Sequence, residues 1–185
     1  DVNAAAFSQV FDNFQLNTFN GLSFVVENIN SCSEDLGGAD TDNDPATGAC
    51  NGDVRGGVRS MGLEIEPFMR PMADLGINLG ASIVDARYRD NLVGADGRPL
   101  TSALFQLPGR RMSNSSAFTM TGSIAYTPAL GNTGLTGLFY VDGRYQSEFN
   151  TGSDLDVEKI QDDYFVMNAR IGIRGPKERW GVQLW

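Results

Sequence analysis

Hydrophobic side chains recur at every second position through much of residues 117–185, and the residues between them are small, hydroxylic or charged. Phe118, Met120, Ile124 and Tyr126 alternate with Thr119, Thr121, Ser123 and Thr127, while Gly122 and Ala125 complete the two rows. Leu135, Phe139, Val141, Tyr145 and Phe149 alternate in the same way with Thr136, Tyr140, Asp142, Arg144, Gln146 and Glu148. A period of two places one set on each face of a strand. Strands that separate lipid from water need an apolar outer band, aromatic girdles and a polar interior. The pattern predicts an all-β, antiparallel fold of that kind.

Two further segments fit. Leu75, Ile77, Leu79, Ala81 and Ile83 share a face opposite Gly76, Asn78, Gly80 and Ser82, after which Asp85, Arg87 and Arg89 continue the apolar row, as in a strand leaving lipid for water. Phe165, Met167, Ala169, Ile171 and Ile173 oppose Asp162, Tyr164, Asn168, Arg170 and Arg174. Short connections at 69–74, 128–134 and 175–179 alternate with long ones at 29–53, 89–116 and 150–159. Tight turns on one side and long loops on the other are the rhythm of an outer-membrane barrel. Near the start, Asn20-Gly21 is a hairpin dipeptide, which we place above the membrane as an extension of the first outer loop.

Composition narrows the function classes. The net charge of −9, from 23 acids and 14 bases, argues against nucleic acid, which needs clustered cations. No apolar run is long enough for a membrane helix, and no basic, apolar leader opens the chain, so it reads as a mature form or a fragment. Histidine is absent, which removes the usual general base and the commonest metal ligand. No Ser-Lys, paired-Cys or phosphate-loop arrangement replaces it, so no enzymatic activity is expected.

Cys32 and Cys50 flank a polar loop. The pair predicts a disulfide and an oxidising compartment, the other reading being two separate thiols. A bond there would close a loop worth about 3 kcal/mol on chain-entropy grounds. Within it, Asp40, Asp42 and Asp44 have the odd-position carboxylates of a calcium loop. Pro45 stands where that turn requires Gly, and Asn51 where a bidentate Glu belongs. A solvated acidic loop is the stronger reading, with Ca2+ as the alternative.

Phe11-Asp12-Asn13-Phe14-Gln15, Gly62-Leu63-Glu64-Ile65-Glu66 with the following Pro71, and the terminal Trp180-Gly181-Val182-Gln183-Leu184-Trp185 resemble the late barrel strands of TonB-dependent outer-membrane receptors. The resemblance implies a barrel of about twenty-two strands with a plug inside it, energised through the TonB protein and resident in the bacterial outer membrane. About seven of those strands are expected here (residues 1–185 as a partial barrel domain), with the plug, the TonB-contacting segment and a terminal strand outside the chain. The implied partners are outer-membrane lipid, the rest of the barrel and plug, TonB, and a scarce nutrient such as a ferric siderophore, a cobalamin or a saccharide.

Two groups of site residues follow. Glu64, Glu66, Asp142, Arg144, Arg170 and Arg174 are expected to face the lumen, either touching a plug or solute or, the favoured reading, neutralising one another across strands. Arg110 and Arg111, with Tyr88 and Phe105 nearby in sequence, are the candidates for an anionic chelate in the outer loop 89–116, against an equal reading as bases that neutralise surface acids. Two other architectures stay open. One is a small eight-stranded outer-membrane barrel with a structural or adhesion role, in which the Asn20-Gly21 hairpin would cross the bilayer; the other is a secreted ligand-binding β-sandwich.

Overall fold

The computed structural model describes residues 1–19, 22–37 and 47–185. In chain order its strands are β1 (Val2–Phe11), β2 (Phe14–Phe19), β3 (Phe24–Cys32), β4 (Val54–Gly56), β5 (Val58–Met72), β6 (Leu75–Tyr88) and β7 (Leu92–Val93). Then come β8 (Phe118–Tyr126), β9 (Thr136–Gln146), β10 (Phe149–Asn150), β11 (Ile160–Gln161), β12 (Tyr164–Arg174) and β13 (Gly181–Leu184). Among the described residues the remaining regular structure is single 3-10 turns, with no α-helix. The fold is all-β and antiparallel.

Seven strands form the main sheet in the order β1-β5-β6-β8-β9-β12-β13. Apart from β1 and β5, sheet neighbours follow one another as an up-and-down meander. The connections 73–74, 127–135 and 175–180 therefore lie at one end, and 12–57, 89–117 and 147–163 at the other. Strands β1 and β13 are the edges, and no pairing joins them among the described residues. The sheet is open.

The register keeps the alternating rows in line across the sheet. Ile77 pairs with Ile124, Ile124 with Val141, and Val141 with Ala169, giving one apolar face. Asn78 pairs with Ser123, Ser123 with Asp142, and Asp142 with Asn168 on the opposite face. A slip of one residue in any strand would exchange its two rows, so the shared pattern specifies the pairing.

A smaller unit caps the long-connection end. Strands β2, β3 and β4 form a second sheet, and β7 also pairs with β3. The segments flanking Asn20-Gly21 thus lie outside the main sheet; the dipeptide itself is outside the described residues. Leu16, Ile29, Leu92, Leu100, Leu104 and Leu107 form the cap's core together with Val58 and Tyr88 from the top of the main sheet. Asn13, in left-handed backbone at φ 51°, turns the chain from sheet to cap. Its amide and its side chain exchange two hydrogen bonds of 2.8 Å with Asn30, which hold that turn against β3.

Several boundaries differ from the sequence expectation. Segment 69–74 is not all turn: β5 continues to Met72 and reverses through Ala73 and Asp74. A register shift between Met69 and Met72 absorbs Pro71, whose missing N–H confines it to such a bulge. The strand at Gly62–Glu66 begins at Val58 as β5, and the preceding Val54–Gly56 is β4, which belongs to the cap. Phe149, expected at the end of the row that begins at Leu135, instead pairs with Gln161 in the separate β10–β11 ribbon.

Candidate functional site

The apolar face of the main sheet carries no covering layer. Met120 is 47% exposed, Phe139 44% and Phe165 60%, although all three are large and hydrophobic. Aromatic pairs stand at both ends of the β8–β9 ladder: Tyr126 stacks on Phe139 with ring centroids 6.1 Å apart, and Phe118 tilts against Tyr145 at 6.0 Å. The eight residue steps from Phe118 to Tyr126 correspond to about 26 Å at roughly 3.3 Å per residue. Between them the ring of Phe165 lies over Gly143, where an added Cβ would come within 2.6 Å of its Cζ. A larger residue at 143 would lift that ring.

The opposite face is polar, and the register places the six predicted charges on it. They do not neutralise one another. Asp142 accepts from Asn168 Nδ2 at 2.9 Å, Glu64 accepts from Ser82 Oγ at 3.5 Å, and Arg144 donates to Gln146 at 2.9 Å. Arg170 lies 4.7 Å from the centre of the Tyr140 ring. Arg174 pairs at 3.2 Å with Glu178, which lies in the 175–180 turn. Neutral amides, hydroxyls and a ring satisfy most of these charges locally, leaving them accessible to water.

The cap holds the loop residues singled out from sequence. Cys32 and Cys50 form a disulfide with Cα atoms 5.4 Å apart. It closes most of the segment 29–53, the rest of which includes the end of β3. Asp40, Asp42 and Asp44 lie outside the described residues; among the described residues no group of three or more acidic, Cys or His side chains could hold a metal. Tyr88 is only 2% exposed, and Phe105 packs against the same core. Arg111 donates to Val84 O at 2.7 Å and to Asp85 at 3.3 Å, while Arg110 is exposed. The four residues are therefore split between core, sheet end and surface. In loop 147–163, a hydrogen bond from the Lys159 ammonium holds the Asp154 carboxyl below its usual value of 3.8.

A constellation not anticipated as a unit sits where the apolar row ends. Arg59, in the same row as Met61 and Leu63, lies 3.6 Å from Asp85. Arg87 and Arg111 also pair with that carboxylate, at 2.5 and 3.3 Å. Beside them a cavity of about 530 Å3 opens between sheet and cap, lined by Arg55, Arg59, Arg87, Arg89 and Asp90 together with the β3 segment at Cys32. Gly109 closes its rim at φ 72°, where a Cβ would meet Asp90 Oδ1 at 2.6 Å. The sequence signal was present: Arg59 interrupts an apolar row on β5 as Asp85 and Arg87 do on β6. Only the register shows that the interruptions coincide. Comparison with family models, curated proteins and solved structures returned no match.

Proposed function

We propose that the chain is part of the wall of a bacterial outer-membrane β-barrel of the TonB-dependent receptor type. Its cap would lie on the outer side, and the polar face would line the passage for a scarce nutrient such as a ferric siderophore, a cobalamin or a saccharide. The observation that carries the reading is the uncovered apolar face, bounded by aromatics about 26 Å apart along the strand. Strands β8, β9 and β12 have 9, 11 and 11 residues, and a tilted strand needs about 9–11 to cross hydrocarbon. Soluble monomers ordinarily expose contiguous apolar patches of only a few hundred Å2, and here the uncovered apolar row runs on through Ile77, Ile124, Val141 and Ala169 across four strands.

The open edges favour a larger barrel over a small one. Each unpaired backbone group in hydrocarbon costs several kcal/mol, so further strands would have to complete the wall. The small eight-stranded alternative needs the β2–β3 hairpin in the main sheet, whereas it pairs within the cap. A sandwich needs a second sheet over the apolar face, and none lies there among the described residues. An uptake assay on the complete protein tests the receptor reading. Removing the protein should abolish TonB-dependent accumulation of one of these nutrient classes, and Arg110→Ala should weaken ligand binding. Undiminished accumulation of all three after removal contradicts the reading.

A further inference from the structure

The cavity between sheet and cap is lined by four arginines, and nothing in the wall proposal requires them. We propose that Arg55, Arg59, Arg87 and Arg89 form a site for a phosphate group, as a phosphomonoester or a free phosphate-type anion. In a chain of net charge −9, this region reverses the sign. Asp85 is shared among Arg59, Arg87 and Arg111, so one negative charge faces three positive ones. Asp90 is the one acid lining the cavity, against its four arginines.

Arg55 makes no ion pair among the described residues. The Nε of Arg89 is buried and has no hydrogen-bond acceptor. A buried guanidinium donor without a partner marks a place for an acceptor. Arg87 also donates to Gly109 O at 3.5 Å on the rim of this space, and planar guanidinium forks lining one cavity suit phosphate oxygens, which accept paired hydrogen bonds from such a fork.

Position suggests where the phosphate comes from. Arg87 stands four residues beyond Ile83 in the apolar row, about 13 Å further along the strand. If that row faces hydrocarbon, the arginines lie at headgroup height, and the anion is the phosphomonoester of a lipid. Anion affinity itself stands on the arginine geometry alone; only the lipid source rests on the wall proposal.

The test uses the complete protein, with every strand of the wall present, in two settings. In micelles of uncharged detergent at low salt, inorganic pyrophosphate is titrated by calorimetry. In nanodiscs of phosphatidylcholine doped with phosphatidic acid, retained lipid is read by native mass spectrometry. Pyrophosphate should bind, and Arg55→Gln or Arg89→Gln should each weaken it about tenfold, while Arg89→Lys retains part of the affinity. Arg55 is exposed, so its variant keeps the test valid if the Arg89 variants fail to fold. Selective retention of phosphatidic acid, lost in Arg55→Gln, supports a lipid source; pyrophosphate binding without it supports a free anion in the same site. No binding up to about 10 mM, or equal affinity in wild type and Arg55→Gln, overturns the site. Failure to enter nanodiscs would count against the wall proposal and leave the micelle result standing.

Discussion

The main sheet and the cap treat hydrophobic side chains in opposite ways. In the cap Ile29, Val93, Leu104 and Leu107 are wholly buried, whereas in the sheet Leu63 is 60% and Met167 62% exposed. The cap's apolar residues come from short strands and from the irregular segment holding Leu100, Leu104 and Leu107, with no shared period, yet they converge on one core. The sheet's rows are regular and have no partner layer. Hydrophobic content therefore does not by itself place a residue inside a protein. The cap supplies its own apolar phase and adds a disulfide; on the proposed reading the sheet takes its apolar phase from lipid.

That contrast predicts unequal costs for equal changes. Leu104→Ala should remove about 2–5 kcal/mol from the cap, the range for truncating a fully buried leucine, seen in denaturant unfolding followed through cap amides. Ile124→Ala, an exposed site, should change stability in detergent by about 0.5 kcal/mol or less; matching losses would dissolve the distinction. In bilayers the sheet becomes the sensitive part. Leu79→Arg, paired with Gly122 midway between the aromatic ends of β8, should lose about 2–4 kcal/mol on insertion into vesicles. Asn78→Arg on the other face should lose much less, and refolding titrations in phosphatidylcholine vesicles compare the two.

Smaller effects sharpen the boundary. Reducing Cys32–Cys50 should cost the cap about 3 kcal/mol while hydrogen exchange in β8 and β9 stays unchanged; faster exchange across both would mean that cap and sheet unfold together. In loop 147–163, the Asp154 carboxyl has its folded pKa depressed below 3.8, first by the hydrogen bond from Lys159. The stabilisation is fully present well above 3.8 and fades as pH falls through the folded value. The Thr151 amide, bonded to Lys159 O at 2.9 Å, should then exchange faster relative to its intrinsic rate, and Asp154→Asn should remove that pH dependence.

The two faces were legible from residue order because a period of two survives any tertiary context. Rows such as Phe118-Met120-Ile124 name their neighbours once pairing is antiparallel. The cap was not legible, because its core joins residues far apart in the chain: Leu16 and Leu104 belong to one core whose members show no repeat. Leu100, Leu104 and Leu107 within a segment read as outer loop were the available sign that 89–116 has an interior. Tyr88 looked like a ligand residue for the same reason, since an aromatic beside a loop is equally suited to a surface and to a core. Mutual neutralisation of the charges on the polar face is not seen, because nearer partners engage most of them, such as Asn168 for Asp142 and Glu178 for Arg174.

The most direct test places nitroxide labels singly at Met120, Ile124 and Val141, and at Thr121, Ser123 and Asp142, in protein embedded in bilayers. Paramagnetic accessibility is then measured to oxygen and to a water-soluble nickel complex. The account predicts that the first three sites favour oxygen, the last three favour nickel, and the preference reverses at each step from 120 to 121 and from 123 to 124. Equal nickel accessibility in both rows, or shielding of the first three sites from both reagents, would contradict it.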